Sequence, residues 1–209
     1  MSNSVLLKYV VQRNNIRDVE LLERMILYFL DNVGHSFSAR SISNYLKQEN
    51  RKVSAETILN YIKACCDAYL FMKLRREDLQ GKKILSVNEK YYSVDHGLRE
   101  AILGTNTRNI DQVLENIVCV ELLRRGYTVT IGKNGEKEID FIAKKNKDKL
   151  YIQVAYLLAG SETIEREFGI YDSVRDHYPK YVLSLDELDM SRNGIKHLNI
   201  RDFLLSKEY

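Results

Sequence analysis

The stretch from Lys137 to Ala155, KEIDFIAKKNKDKLYIQVA, decides the fold of the second half of the chain. Two apolar runs flank the charged turn 144–149, a pattern that is typical of a β-hairpin. Glu138 and Asp140 are two residues apart in the first run, so we expect them to share one face of a strand. Gln153 lies in the second run, where pairing of the two strands would bring its side chain close to Asp140.

Further elements extend outward from this hairpin. Apolar residues cover most of a predicted helix over 111–125, which indicates a buried helix. After the hairpin, the pattern predicts a helix over 163–178, a strand over 180–185, and a last strand and helix within 195–205. The resulting order α-β-β-β-α-β predicts a mixed α/β sheet with helices on its faces.

The N-terminal half has a different pattern. Three amphipathic helices are predicted, the first over 17–32, with N-caps at Asp18, Ser38 and Ser54. Two strand-like runs follow, at 70–75 and 84–94. Three helices and a hairpin form the order of a winged helix-turn-helix. We therefore divide the chain into a connector (1–16), a winged helix-turn-helix domain (17–100) and a second, α/β domain (101–209). Residues 97–108 are predicted to form a connection between the two domains.

The second domain carries the residues best suited to chemistry. Asp140 and Gln153, joined by Glu115 from the apolar helix, would form a hard oxygen site for Mg²⁺ or Mn²⁺, with Glu138 as a further ligand. The same residues also fit a structural role. Glu138 could pair with a nearby Lys on a wet sheet face, and Gln153 could bond to backbone. The sequence leaves both interpretations open.

These positions resemble the PD-(D/E)XK nuclease fold, which is restriction-endonuclease-like. Glu115 stands before the Gly126-Tyr127 pair, Asp140 matches the motif Asp, and Gln153 matches the (D/E) position. The resemblance implies DNA cleavage with Glu115, Asp140 and Gln153 as catalytic residues. The motif Lys is replaced by Ala155, which implies a degenerate site unless Lys133 or Lys137 has taken its place.

A second resemblance spans nearly the whole chain. Its motifs are LLKYVVQRNNIRD (6–18), KYYSVDHGL (90–98), LLRRGY (122–127), EIDF (138–141), YIQV (151–154), REF (166–168) and YPKY (178–181). Together they resemble the DUF4143 region at the C-terminus of prokaryotic AAA-type ATP-binding proteins. This resemblance implies an ATPase domain as a partner. The chain itself contains no G-x-x-x-x-G-K-[ST] phosphate-binding loop.

Candidate DNA-binding residues lie in the first half. Residues 1–100 hold 16 Lys and Arg against 12 Asp and Glu, whereas the remainder holds 16 against 17. The weak asymmetry places any polyanion-binding surface in the N-terminal half. Lys63 is the cation on the outward face of the third helix, and the hairpin carries four more. The candidate phosphate contacts are therefore Lys63, Arg75, Arg76, Lys82 and Lys83. Docking of a protein partner on the winged helix remains the alternative.

Composition excludes several other classes of protein. The chain has no apolar run of about 18 residues, so we expect no membrane span, and its start lacks the pattern of a secretory signal. The three Cys and four scattered His do not have zinc-ligand spacing, so we expect reduced thiols in a cytoplasmic protein and no zinc site. Glu121 lies among apolar residues and is expected to be buried against an Arg such as Arg166.

Three functions follow from these observations. The first is a non-catalytic DNA- or protein-binding module whose nuclease-like domain has lost its activity. The second is a working nuclease that depends on Mg²⁺ or Mn²⁺. The third is a protein-interaction module, which the 14 Tyr favour because Tyr is enriched at interfaces. The oligomeric state is left open.

Overall fold

A computed structural model describes residues 5–79, 84–104 and 109–206. Within these ranges it contains eight helices and a seven-stranded mixed sheet, which confirms the predicted mixture of helices and strands. None of the described helices combines the length and the hydrophobicity needed to span a bilayer. The chain divides into two compact units: unit 1 comprises Met1–Lys73 and Asn88–Thr107, and unit 2 comprises Leu74–Val87 and Arg108–Tyr209.

Unit 1 is mainly helical. Its helices are α1 (Val5–Asn14), α2 (Val19–Asp31), α3 (Ala39–Gln48), α4 (Ala55–Asp67) and α5 (His96–Leu103). The strands β1 (Phe71–Asp78) and β2 (Ile84–Ser93) lie between α4 and α5 in sequence, and each has one part in unit 1 and one part in unit 2. The segment from α2 to β2 has the predicted order of three helices and two strands, and α1 and α5 are additional helices.

The three predicted N-caps are confirmed. The side chains of Asp18, Ser38 and Ser54 each accept a hydrogen bond from the backbone N–H three residues further on, at 3.0, 3.4 and 3.0 Å. Each bond satisfies one of the backbone donors left unpaired at the start of a helix. These local signals therefore fix where α2, α3 and α4 begin.

Two helices lie where the sequence analysis predicted connections. The described part of the predicted connector 1–16 contains α1, and α5 occupies the first part of the predicted connection 97–108. Asp95 caps α5 by accepting from Gly97 N–H at 2.7 Å. Gly97 in the first turn lowers the helix propensity of this segment, which explains why the pattern indicated an irregular connection.

An aromatic cluster forms the centre of the core of unit 1. Phe29 of α2 contacts Phe37, Phe71 and Tyr91, with ring centroids 4.8, 5.7 and 5.4 Å apart. Phe29, Phe71 and Tyr91 are buried. Such ring pairs contribute about 0.5–1.5 kcal/mol each beyond the burial of their area. The cluster therefore ties α2 to the strands of the hairpin.

Unit 2 is built around the sheet. Its remaining elements are α6 (Ile110–Arg124), β3 (Thr128–Asn134), β4 (Lys137–Lys145), β5 (Asp148–Val154), α7 (Ser161–Gly169), β6 (Lys180–Ser184), β7 (Lys196–Asn199) and α8 (Ile200–Leu205). The strand order is β2-β1-β3-β4-β5-β6-β7. The strands β3, β4 and β5 form an antiparallel meander, and β6 and β7 continue the sheet in parallel with β5.

The outer part of the β1–β2 hairpin belongs to this sheet. Arg76, Glu77 and Asp78 of β1 pair in parallel with Ile131, Gly132 and Lys133 of β3. The grouping therefore differs from the predicted division at residue 100, because Leu74–Val87 joins unit 2. Pairing between strands so distant in sequence leaves no local signal.

Helix α7 is much shorter than predicted. It ends at Gly169, and the chain continues through turns in which Val174 N–H donates to Tyr171 O at 2.8 Å. Tyr171 is buried and its hydroxyl donates to the Tyr181 carbonyl oxygen at 2.8 Å. A glycine and a buried Tyr anchored to β6 together end the helix, so the predicted extension to residue 178 is wrong.

Candidate functional site

The structure places Asp140 of β4 in direct contact with Gln153 of β5. Asp140 N–H donates to Gln153 Oε1 at 3.2 Å, and Val154 N–H donates to Asp140 Oδ2 at 2.8 Å. Both side chains are buried. The amide oxygen and one carboxylate oxygen therefore already accept backbone hydrogen bonds across the β4–β5 pair, which is the structural role considered above for Gln153.

A β-bulge lies at Asp140. Thr130 of β3 pairs with Ile142, but Gly132 pairs with Ile139, so β4 carries one extra residue here. The extra residue places Ile139 and Ile142 in one apolar cluster, although regular alternation would put them on opposite faces. Bulges re-aim side chains, and this one lies where the nuclease motif would place its Asp.

The other proposed metal ligands have different surroundings. Glu138 forms an ion pair with Arg76, with 2.6 Å between Oε2 and Nη2. Glu115 is half-buried on α6. Among the described residues, no group of three or more His, Cys, Asp and Glu lies close enough together to hold a metal ion.

Ala155 occupies the position of the motif Lys. It is buried in an apolar cluster with Phe168 and Val182, and its N–H donates to the Leu183 carbonyl oxygen at 2.9 Å. Lys137, one of the two candidates for a displaced Lys, donates through Nζ to the Gly169 carbonyl oxygen at 3.0 Å. The environment of Ala155 is therefore apolar, and Lys137 is directed to α7.

The predicted DNA contacts are divided between the two units. Lys63 is exposed on α4 in unit 1. Arg75 is exposed on β1, whereas Arg76 is the partner of Glu138 and is only 16% exposed in its side chain. Lys82 and Lys83 lie outside the described residues.

A polar groove of about 430 Å³ runs along α4 in unit 1. Thr57, Asn60 and Lys63 line it from α4, and Asn15 and Arg17 line it from the connection between α1 and α2. Asn15 has a left-handed backbone with φ of 50°, a conformation that Asn tolerates better than most residues. Of these residues, the sequence analysis identified Lys63 on the outward face of the helix but missed Asn15 and Arg17. The Asn14-Asn15 pair, a common turn signal, could have indicated them.

The charges around this groove are partly neutralised. Arg51 binds Asp18 at 2.7 Å and Glu20 at 2.8 Å, so both carboxylates near the start of α2 are paired. Burial raises the pKa of Asp18, but the hydrogen bonds from Arg51 and Leu21 N–H outweigh it and hold that pKa below its usual value. Within the described residues, Arg17 and Lys63 make no ion pair and remain exposed. Asp67 is the carboxylate that lines the groove.

Two other charged residues are explained by pairing. Glu121 is buried and binds Arg124 at 2.7 Å and Arg125 at 2.5 Å, so its partners are on its own helix and the predicted partner Arg166 is wrong. The hydrogen bond from Arg124 is the main reason that the pKa of Glu121 lies below its usual value. Arg166 pairs instead with the buried Glu167 at 2.7 Å.

Ser184, Asp186 and His197 are the residue types of a Ser-His-Asp catalytic triad, but their hydrogen bonds run in a different direction. His197 Nε2 lies 2.9 Å from Ser184 Oγ, which donates to Asp186 Oδ2 at 2.7 Å. His197 Nδ1 accepts from Met190 N–H at 3.2 Å. The proton of the neutral ring is therefore on Nε2, and neither ring nitrogen is free to take a proton from Ser184. This cluster holds the loop between β6 and β7.

His197 in this cluster is expected to make the stability of the protein depend on pH. Burial lowers the pKa of His197 below 6.5, although Asp186 and Asp189 oppose the shift. An unfolded His binds its proton at a pKa of about 6.5, so the unfolded state takes up a proton first as the pH falls. We expect the free energy of unfolding to decrease from pH 7 toward pH 5 in urea titrations. His197→Gln should flatten this slope and the exposed His177→Gln should keep it; equal slopes in all three proteins would contradict the prediction.

Comparison with known proteins corrects the family resemblance. A family model described as a domain of unknown function, DUF8612, matches residues 2–109. The resemblance to the DUF4143 region is therefore wrong, and the AAA-type ATPase partner that it implied is dropped with it. Most of its seven motifs are short runs of apolar and aromatic residues, which occur in the helices and strands of many folds.

Two relatives match nearly the whole of this chain. An uncharacterized protein of Haemophilus influenzae is 37% identical over 204 residues, which cover 97% of this chain and 50% of the relative. The uncharacterized protein MJ1544 of Methanocaldococcus jannaschii is 30% identical over 197 residues, 92% of this chain and 43% of the relative. The chain thus spans about half the length of these relatives. The crystal structure of protein VC1899 from Vibrio cholerae aligns over 97% of this chain and 54% of its own, at 12% identity and a TM-score of 0.29.

Proposed function

Since the chain belongs to the DUF8612 family, which is defined without a function, we propose from the geometry of its residues that unit 1 is a winged helix-turn-helix that binds duplex DNA. In this proposal, unit 2 is a nuclease-like domain that does not cleave DNA. Helix α4 would be the recognition helix, lying in the major groove.

The groove along α4 is the observation that carries this proposal. It combines two cations without ion-pair partners, Arg17 and Lys63, with the amide and hydroxyl groups of Asn15, Asn60 and Thr57. Cations neutralise phosphates, and amide side chains read the edges of bases. The groove is open and polar, whereas a site for a protein helix would be mostly apolar.

The absence of cleavage is supported by the surroundings of the nuclease motif. Asp140 and Gln153 are bonded to backbone, Glu138 is paired with Arg76, and Ala155 lies in an apolar cluster. A metal-dependent nuclease needs carboxylates that converge on an open position and a group that activates water. The order of α6, the β3–β5 meander, α7 and β6 supports the nuclease-like topology assigned to unit 2.

We predict that Arg17→Glu combined with Lys63→Glu weakens binding to duplex DNA by about tenfold or more, because each lost phosphate contact removes one counterion-release step. Fluorescence anisotropy with a labelled duplex at several salt concentrations measures this affinity. The slope of log affinity against log salt should decrease by about 2. Lys147→Glu is the matched control, because Lys147 is an exposed cation in the β4–β5 turn of unit 2.

Three outcomes would contradict the proposal. The double variant could bind DNA as tightly as the unchanged protein, or the protein could show no DNA binding at low salt. Cleavage of DNA in the presence of Mg²⁺ or Mn²⁺ would instead establish the nuclease and remove the non-cleaving assignment of unit 2.

A further inference from the structure

Unit 2 contains a second cleft, of about 580 Å³, whose lining does not include Asp140 or Gln153. It exists because α7 ends at Gly169 and the following segment, which includes Ser173–Asp176, forms one wall of the cleft. The opposite wall is formed by the ends of β1, β4 and β5, with Glu77, Lys144 and Lys149. Its volume falls within the ~300–1,000 Å³ range of small-molecule sites.

Two carboxylates of this cleft already have hydrogen-bond and ion-pair partners within the protein. Glu77 accepts from Lys144 Nζ at 2.5 Å and from Thr130 Oγ1 at 3.0 Å. Asp176 accepts from the Tyr151 hydroxyl at 2.5 Å and is bound by Lys149 at 3.3 Å and Lys180 at 3.5 Å. Both carboxylates are therefore neutralised inside the cleft wall, and Asp176 has two ammonium partners for one negative charge.

The ionisation states of this wall are fixed by the same contacts. Burial raises the pKa of Asp176, but Tyr151, Lys149 and Lys180 outweigh it, so that the pKa lies below its usual value and the group stays charged. Burial and Asp176 both raise the pKa of Tyr151, so the phenol remains a donor. At neutral pH the charged Asp176 therefore continues to bind the ammonium groups of Lys149 and Lys180.

Other groups of the cleft have hydrogen-bonding capacity left over. Arg175 is an exposed guanidinium that makes no ion pair within the described residues. Asn134 is buried and uses its amide N–H groups on Ser173 Oγ at 2.6 Å and the Ile170 carbonyl oxygen at 3.4 Å. Its amide oxygen accepts from no donor in the part of the chain that is described, and the Ser173 hydroxyl still has its own proton to donate.

We propose that this cleft binds a small phosphomonoester that carries hydroxyl groups. Arg175 and the free N–H groups of Lys144 and Lys149 supply the donors that a phosphate requires, and Asn134 supplies the acceptor that a ligand hydroxyl requires. The volume suits one sugar phosphate or mononucleotide and is too small for a duplex, so this site is independent of the DNA groove of unit 1.

Isothermal titration calorimetry of the full chain with ribose 5-phosphate tests the proposal, with ribose and inorganic phosphate as separate ligands. We expect saturable binding of ribose 5-phosphate, weaker binding of inorganic phosphate and none of ribose. Arg175→Glu should weaken the affinity by about tenfold or more, because it reverses a charge next to the phosphate. Arg175 makes no ion pair with the described residues, so this variant should fold, which far-ultraviolet circular dichroism checks.

Lys147→Glu is again the matched control, since Lys147 is exposed on the same hairpin but does not line the cleft. The proposal is overturned if ribose 5-phosphate shows no binding at a ligand concentration of about 10 mM. It is also overturned if Arg175→Glu binds as tightly as the unchanged protein. Equal affinity for inorganic phosphate and ribose 5-phosphate would reject the hydroxyl contacts.

Discussion

Replacing Asp140 by alanine is expected to lower the free energy of unfolding by about 2–4 kcal/mol and to leave DNA affinity unchanged. The Asp140 carboxylate is buried and accepts the N–H of Val154 at 2.8 Å. Alanine removes this charged acceptor and leaves a buried N–H without its partner, which costs more than the hydrogen bond itself contributes. The loss should therefore appear as instability of unit 2.

Urea denaturation followed by circular dichroism measures this loss. Asp140→Asn keeps an acceptor oxygen and should lose less stability than Asp140→Ala, while Asp148→Ala, at the exposed start of β5, should change little. The nuclease hypothesis makes the opposite prediction. It requires that Asp140→Ala abolish cleavage dependent on Mg²⁺ or Mn²⁺ while stability stays the same or rises, since catalytic carboxylates are often retained at a cost in stability.

The sequence predicted those features that depend on local chemistry. Asp18, Ser38 and Ser54 cap helices where the pattern placed them, because an N-cap needs only a short polar side chain next to the first helical turn. The antiparallel pairing of β4 and β5 followed from two apolar runs around one charged turn. The contact between Asp140 and Gln153 is a direct consequence of that pairing.

Features that depend on distant pairing could not be predicted in this way. Arg76 was assigned to a DNA-binding wing, but β1 pairs with β3 and Arg76 binds Glu138. The candidate groove on α4 likewise needs Asn15 and Arg17, which precede α4 by about 40 residues and reach it through the packing of α1 and α2 against α4. An apolar pattern gives the face of an element, but not the neighbour that this face contacts.

The bulge in β4 is another feature of this kind, and it depends on Gly132. A Cβ atom at this position would lie 3.0 Å from Ile139 Cβ and 3.1 Å from Ile142 Cδ1 and Cγ1. Both isoleucines are fully buried, so neither can move into open space. The bulge brings the two side chains together, and a residue without a side chain fits opposite them without displacing either one.

We therefore predict that Gly132→Ala lowers the free energy of unfolding by about 1–3 kcal/mol, the usual cost of overpacking a core. This is the net effect, because alanine also reduces the entropy of the unfolded chain, which favours folding by about 0.4–1 kcal/mol where the backbone tolerates it. Gly160→Ala is the matched control. No atom lies within 4 Å of a Cβ built there, so this change has no steric cost, and only the weaker N-capping of α7 by alanine, about 0.5–1 kcal/mol, should remain.

A second substitution separates steric conflict from a general effect of removing glycine. Ile142→Ala deletes the Cδ1 and Cγ1 atoms that the new methyl group would meet, so the two substitutions should be strongly coupled. The double variant is expected to lose less stability than the two single losses added together. Additive losses would show that Gly132 is required for its backbone alone, and the bulge would then have to be explained by the hydrogen bonds of Asp140 and not by packing around Ile139 and Ile142.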